Sequence, residues 1–305
     1  MIRARGGALH VQNLNLGYYK WAYIVTMKRF TYKHTLRETI AIAYGHEWTG
    51  PVEPDVETRA LRDFSLEVFK PLRDAQTDAI RIAGLVKNPK ASHFLLFGAA
   101  RRLRMMWYCY RNVVVYTAPP DRAEPLAGDE FDDLTRDLNV IYINIRGVLD
   151  NFAWALLHER DPERVKTLKP SAIGLFQPCI MKAASFTKLA EGIREHNSWN
   201  TDLTTRRDPA AHRIPLTVPP QGVTPAEATH LVKLWGDYTK AMQGPDLPSA
   251  NDALNRMETV GRFVPCFWHD PDESPIPIYP TVPEDLGHVI VLLYAVERFL
   301  LDHST

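Results

Sequence analysis

The chain has 305 residues, in which 36 lysines and arginines balance 36 aspartates and glutamates. At 45% hydrophobic and 24% charged residues it is too apolar for a disordered chain and too charged for a membrane bundle. Its zero formal charge excludes a protein that coats duplex nucleic acid through a basic excess, so any nucleic-acid contact has to be local.

At roughly 100–200 residues per domain, this length allows one large domain or two modest ones. Met1–Gly17 carries Arg3 and Arg5 but no continuous apolar core, so it does not read as a secretory signal. Met27 opens a cleaner segment, Met-Lys-Arg-Phe, which makes residues 1–26 a candidate upstream extension of the native start. Apolar runs such as Val289–Ala295 fall far short of the ~20 residues of a membrane span. Cys109, Cys179 and Cys266 are odd in number and far apart, which argues against a disulfide framework. The expectation is a cytoplasmic protein with no membrane partner.

Residues 56–86 predict a helix starting at Asp55, with Leu61, Phe64, Val68, Leu72, Ala75 and Ala79 at steps of three and four, divided or kinked at Pro71. Residues 92–116 predict a second long helix capped by Ser92. The Pro-rich stretch 118–130 reads as a linker between an N-terminal helical region, 1–117, and a C-terminal bundle, 131–305. Within the bundle, 131–159 has the strongest helical period, followed by 180–197, 224–242, 249–262 and 284–302. The last opens on Pro283-Glu284-Asp285, acids that favour a helix N-terminus. The proline clusters Pro215–Pro225 and Pro265–Pro283 read as irregular. Arg213–Val218 and Arg262–Trp268 are β-like and could pair as a small appendage. No Gly-rich strand-turn-helix is present, so a dinucleotide or P-loop fold is excluded and the fold class is an all-α helical bundle.

On a helical wheel of 131–159, Ile141, Ile145, Val148, Phe152 and Leu156 form one stripe, with Ile143 and Trp154 almost opposite. A helix apolar on two sides is expected at the centre of the bundle. Asn139, Arg146 and Asp150 share a line between those surfaces, and Arg146 and Asp150 are spaced to pair. Two readings stay open: a structural ion pair, or a polar stripe facing a cleft that holds a ligand or phosphate. Asn144 and Asn151 would extend such a cleft.

The most informative stretch is Thr205-Arg206-Arg207-Asp208-Pro209-Ala210-Ala211-His212-Arg213-Ile214-Pro215. Asp208-Pro209 predicts a helix start, with Asp208 as N-cap and Pro209 at the first position. Arg207 and His212 would then meet across the helix entry, and Pro215 would limit the helix to little more than a turn. The bland reading is an ordinary cap with a solvated arginine.

This segment resembles the signature of the HEPN superfamily: Arg, a polar residue, about three variable residues, then His, matched by Arg207, Asp208 and His212. Pro209 and Pro215 bracket it, whereas a typical HEPN motif lies on a longer helix. The resemblance implies a compact helical bundle over roughly 131–303. It also implies metal-independent endoribonuclease chemistry and a homodimer with facing motifs, often in toxin–antitoxin or defence systems with an antitoxin or other partner protein. In that chemistry an imidazole serves as acid or base near neutral pH, and a guanidinium stabilises charge on the phosphate. The candidate catalytic set is Arg207, Asp208 and His212; the candidate phosphate-binding set is Arg146, Asp150, Asn151 and Arg213. The rival reading is a catalytically inactive helical binding or scaffold protein.

Two further stretches suit nucleic acid. Residues 93–118 interleave Arg101, Arg102, Arg104 and Arg111 with Met and aromatic residues and carry no acid, a pattern that suits single-stranded RNA if the aromatics are not simply core. The stretch 28–37 is also basic. Cys266, His269, Asp270 and Asp272 lack a second ligand pair at metal spacing, so no metal and no cofactor are expected.

Overall fold

The computed structural model describes residues 65–117, 124–212, 214–244, 246–269 and 275–302. The expected helix start at Asp55, the basic stretch 28–37, the Met27 start and residues 118–123 of the linker lie outside them. Helix α1 (Phe69–Ala83) buries Leu72, Ala75, Ala79 and Ile82, the predicted three-and-four spacing. A turn at Val68 precedes it, so Pro71 divides the helix by sitting in its first turn, where the missing N–H costs no helical bond. Helix α2 (Pro89–His93) is capped by the Asn88 side chain, which accepts from the Lys90 N–H. Ser92 is therefore not the cap: Asn88-Pro89 is the stronger start signal, and it comes earlier. Through a π-helical turn, Phe94–Ala99, α2 continues into α3 (Ala100–Thr117), which buries Leu103, Met106, Tyr110 and Val113.

Helix α4 (Gly128–Arg160) buries Ile141, Ile145, Val148, Phe152 and Leu156 completely, as the wheel requires. It packs on α1's neighbours α2 and α3 and on the helices described below, which makes it the central element. Its second apolar side is only partly covered. Ile143 is exposed, and Trp154 stacks on Phe94 at 5.1 Å rather than entering the core. That side, running 143–147–151–154, contains Gly147 and Asn151 and meets the π-helical turn. By length and composition α4 could cross a membrane, but it is mostly buried inside the fold.

After the short helices α5 (Pro162–Val165) and α6 (Pro178–Met181), the expected helix 180–197 is broken into α7 (Thr187–Ile193) flanked by 3-10 turns at Ala184–Phe186 and Arg194–His196. The cause is legible in the burial. Ile180, Ala183, Phe186 and Leu189, then Ile193, His196 and Trp199, recur every third residue. A period of three needs the tighter 3-10 winding to stay on one face. Helix α8 (Asn197–His212) follows directly.

Helix α9 (Pro225–Met242) begins with a capping box: Thr224 Oγ1 accepts from the Glu227 N–H, and Glu227 accepts from the Thr224 N–H. It packs chiefly on α10 (Leu247–Met257), which Asp246 caps through the Ser249 N–H. Strands β1 (Cys266–Phe267) and β2 (Ile276–Pro277) pair antiparallel. A single bridge, Thr217–Trp268, joins the two predicted β-like stretches, and a second, Gly222–Arg262, ties the latter of them to a residue beyond the first. At the second bridge Gly261 has φ +78°, and a Cβ there would lie 2.4 Å from the Gly222 oxygen. Helix α11 (Ile278–Leu301) completes an all-α fold with a small β appendage.

Residues on both sides of 118–130 contribute to one hydrophobic core that runs from Val68 to Leu300. Within that core lies a charge. Asp285, expected to favour a helix N-terminus, is instead 2% exposed. It accepts from Arg206 Nη2 at 2.7 Å and Nε at 3.1 Å, from Trp199 Nε1 at 2.8 Å and from Tyr142 Oη at 2.9 Å. Burial raises the Asp285 carboxyl against the pull of Arg206, and the charge of Asp285 raises the Arg206 guanidinium against its own burial; the donors on both Asp285 oxygens favour the charged pair. Removing one partner of a buried pair leaves the other charge uncompensated, at a cost of about 3–5 kcal/mol. Asp285→Ala is therefore expected to lower the unfolding free energy by that amount in urea titrations. Lys166→Ala, which removes an exposed pair with Glu163, should cost less than ~1 kcal/mol. Equal losses in the two variants would contradict the role given to Asp285.

Candidate functional site

Most of α8 (Asn-Ser-Trp-Asn-Thr-Asp-Leu-Thr-Thr-Arg-Arg-Asp-Pro-Ala-Ala-His) is polar, and one thin stripe holds it in place. Trp199 and Leu203 are buried, and the same face continues at Arg206 and Ala210. Arg206 thus occupies an apolar position and needs the Asp285 carboxylate. Trp199 also stacks on His288 at 4.7 Å, and His196 Nδ1 lies 2.8 Å from His288 Nδ1. Burial pushes His196 below the ordinary imidazole range, against the pull of Glu195.

One position on from Arg206, and about 100° round the helix, Arg207 emerges from the buried stripe. Its Nη1 donates to Asp208 Oδ1 at 2.9 Å, and the Asp208 side chain is half exposed. Asp208 is therefore not an N-cap. The helix is already formed upstream and fastened by Trp199, Leu203 and Arg206, so Pro209 falls inside it, close to its C-terminal end. Arg207 and His212 do not meet across a helix entry. They are five residues apart on one continuous helix, positions about 140° apart round its axis. The helix ends at His212, three residues before Pro215. The His212 side chain and Arg213 lie outside the described residues.

Across from α8, the Arg146–Asp150 pair forms as spaced, with Nε 3.4 Å from Oδ1. Arg146 Nη1 also donates to Asn200 Oδ1 at 3.3 Å, joining α4 to α8. Asp150 Oδ1 is buried without a hydrogen-bond partner. It is covered by Gly174, whose absent Cβ would lie 3.2 Å from it. Burial raises the Asp150 carboxyl above the usual range, opposed by the charges of Arg146, Arg207 and Arg102. Arg146 is the guanidinium in contact with this carboxylate, and Arg207 from α8 and Arg102 from α3 act on it through their charge. Of the residues expected at the site, Arg146 pairs with Asp150 and Arg207 with Asp208.

Asn151, the next position on α4, opens onto a neighbouring groove. Its Nδ2 donates to the Gly147 oxygen at 2.6 Å, and its Oδ1 would lie 2.3 Å from a Cβ on Gly98. Arg102 stands between the two places. Its Nη1 donates to Asn144 Oδ1 at 3.0 Å, and its guanidinium crosses α4 where Gly147 has no side chain, 2.4 Å from the missing Cβ. The sequence placed Arg102 in a basic, aromatic run and not at the site; the missing signal was the Gly98 and Gly147 pair that lets the two helices approach. Asn139, expected on the same polar line as Arg146, serves structure, since its side chain exchanges hydrogen bonds with the Leu216 backbone.

Among the described residues no three His, Cys, Asp or Glu side chains gather as a metal site. Cys266 is a buried thiol pushed up to about 12 by burial, and His269 Nδ1 lies 3.1 Å from the Ile214 oxygen. Compared with known proteins, the chain matches no family model, no curated protein and no solved structure.

The raised Asp150 carboxyl has a pH consequence. A group with a raised folded-state pKa favours the folded state below its unfolded value of ~3.9, and this contribution is lost as pH rises through the folded value. Asp150→Asn removes the titration. In denaturant titrations at several pH values, the variant should gain stability relative to wild type as pH rises upward from about 4. The Asp150 side chain is about two-fifths exposed, so the effect is softened by solvent; a difference that does not change with pH would contradict the sealing of its Oδ1.

Proposed function

We propose that the chain is a HEPN-like RNA-binding protein in which Arg207, with Arg146 and Arg102, receives backbone phosphate. The observation that carries this reading is the Arg146–Asp150 pair joined to α8 through Asn200, with the charges of Arg207 and Arg102 acting on the same carboxylate. Partly buried guanidinium groups keep their charge and their planar donor geometry, the combination that phosphate oxygens require. In this reading His212 moves the protons of metal-independent strand cleavage: one imidazole takes the 2′-hydroxyl proton and another protonates the leaving 5′-oxygen. One chain carries one motif histidine, so a two-fold homodimer supplies the second. The setting it suits is a toxin or defence system with a partner protein that masks the cleft.

A second reading, a binding protein without catalysis, is favoured by one observation: Arg207 already engages Asp208, and position 212 stands well round the helix from it. Incubating the purified chain with mixed single-stranded RNA in excess chelator separates the two. Wild type is expected to bind and shorten RNA. His212→Ala should bind without shortening, and Arg207→Ala should bind about tenfold more weakly with a salt slope reduced by about one. Binding without cleavage by wild type would select the second reading. Absence of binding, or equal behaviour of wild type and Arg207→Ala, would overturn the first.

A further inference from the structure

We propose that the groove between the π-helical turn and α4 is a second binding site, for a nucleotide unit: an aromatic base with its phosphate. It is an open cavity of about 450 Å³, within the range of small-ligand sites. Phe97, Arg101, Arg102, Asn144, Asn151 and His93 line it, and no carboxylate does.

The groove is built by the backbone. A π-helical turn widens the helix by one residue, a device common at functional sites. Here it sets Gly98 opposite Asn151 and Phe97 outward, 46% exposed. Methyl groups at Gly98 and Gly147 would collide with Asn151 and Arg102, so both polar side chains exist in these positions because the glycines leave room. Each is then oriented before any ligand arrives. The carboxamides of Asn144 and Asn151 donate to the helix oxygens of Val140 and Gly147, and Arg102 donates to Asn144. Preorganised polar groups beside an exposed ring make a selective site and not a greasy patch.

The ring itself decides the ligand class. Arg101 lies over Phe97 with its guanidinium carbon 4.7 Å from the ring centroid, and the His93 ring sits 5.1 Å away on tilted planes. An exposed cation–π contact is weaker than the stacking of a base on an aromatic ring. A base that takes the ring face releases Arg101 to reach the phosphate attached to it, while Arg102 holds the groove's inner end. A phosphate alone would have no use for Phe97, and a lipid chain none for the carboxamides. Asn151 in the groove and Asp150, on which Arg207 acts, are consecutive positions on α4, so the groove lies beside the Arg207 site. A strand that fills one can continue into the other; that continuation rests on the RNA reading above, whereas the nucleotide site itself does not.

The test is anisotropy and calorimetry on the full chain with a labelled single-stranded RNA octamer, a 5′-mononucleotide and inorganic phosphate. Phe97→Ala, Arg101→Ala and Arg207→Ala are compared with wild type; Phe97 and Arg101 are exposed, and unchanged unfolding midpoints confirm intact folds. Phe97→Ala and Arg101→Ala are each expected to weaken octamer binding about tenfold, and the mononucleotide to bind more tightly than phosphate alone. If the mononucleotide binds wild type, loses affinity in Phe97→Ala, and the octamer adds nothing, the groove stands as a site for a free nucleotide and the strand reading falls. If Arg207→Ala alone weakens the octamer, the groove proposal is overturned and the strand reading survives. Equal binding of phosphate and mononucleotide would also overturn the groove proposal.

Discussion

A carboxylate sealed from water, Asp285 of α11, accepts hydrogen bonds from Arg206 and Trp199 of α8 and from Tyr142 of α4. The two helices that carry the Arg146–Asp150 and Arg207–Asp208 pairs, α4 and α8, both supply donors to it. Helix α8 is otherwise too polar to bury a broad face, and only Trp199 and Leu203 along it are deeply buried. In a low-dielectric interior the ion pair is acceptable only because both oxygens are saturated by donors. Its geometry is directional in a way that leucine packing is not. It fixes the rotation of α8 about its own axis, and that rotation determines which way the next residue, Arg207, faces.

From this anchor the site follows by helical geometry. Arg206 turns inward, Arg207 turns out of the stripe to engage Asp208 while its charge acts on Asp150, and Asn200, two turns earlier, meets Arg146. Helix α4 is shared by both halves of the arrangement. One of its faces carries the core stripe Ile141 to Leu156. The opposite face, notched by Gly147, admits Arg102 from α3. Cationic groups from three helices therefore act on one carboxylate of the central helix, in a chain whose formal charge is zero.

The period of three and four made the long helices legible in the sequence, because burial of one face leaves a repeating trace: α4 and α9 stand within a few residues of their expected places, and the helix expected over 92–116 covers the π-helical turn together with α3. What misled was local punctuation. Asp208-Pro209 has the chemistry of a helix start, yet tertiary fastening at Trp199 and Arg206 had already set the helix running, and a capping preference of about 1 kcal/mol does not compete with a buried ion pair. Over 180–199 the buried positions recur every third residue apart from one step of four at Leu189–Ile193, so the segment mixes 3-10 turns with α7 where the sequence predicts one α-helix. The Arg206–Asp285 pair also left a trace: each charge falls on the apolar stripe of its own helix, Trp199–Leu203–Arg206–Ala210 and Val282–Asp285–Val289–Leu292. Two opposite charges on two buried stripes predict each other. The sequence singled out the 93–118 run, Asn144 and Asn151 but not their meeting, since that depends on two glycines distant in sequence, Gly98 making room for Asn151 and Gly147 for Arg102.

The rotation of α8 is the point on which the structure and the proposed RNA site both depend, and backbone hydrogen exchange reads it directly. Asp285→Asn keeps the shape of the side chain and removes its charge. In that variant the amides of Leu203–Arg207 should exchange markedly faster than in wild type, while those of Ile145–Phe152 in α4 keep their protection. Unchanged protection across α8, or uniform loss throughout the bundle, would contradict the account.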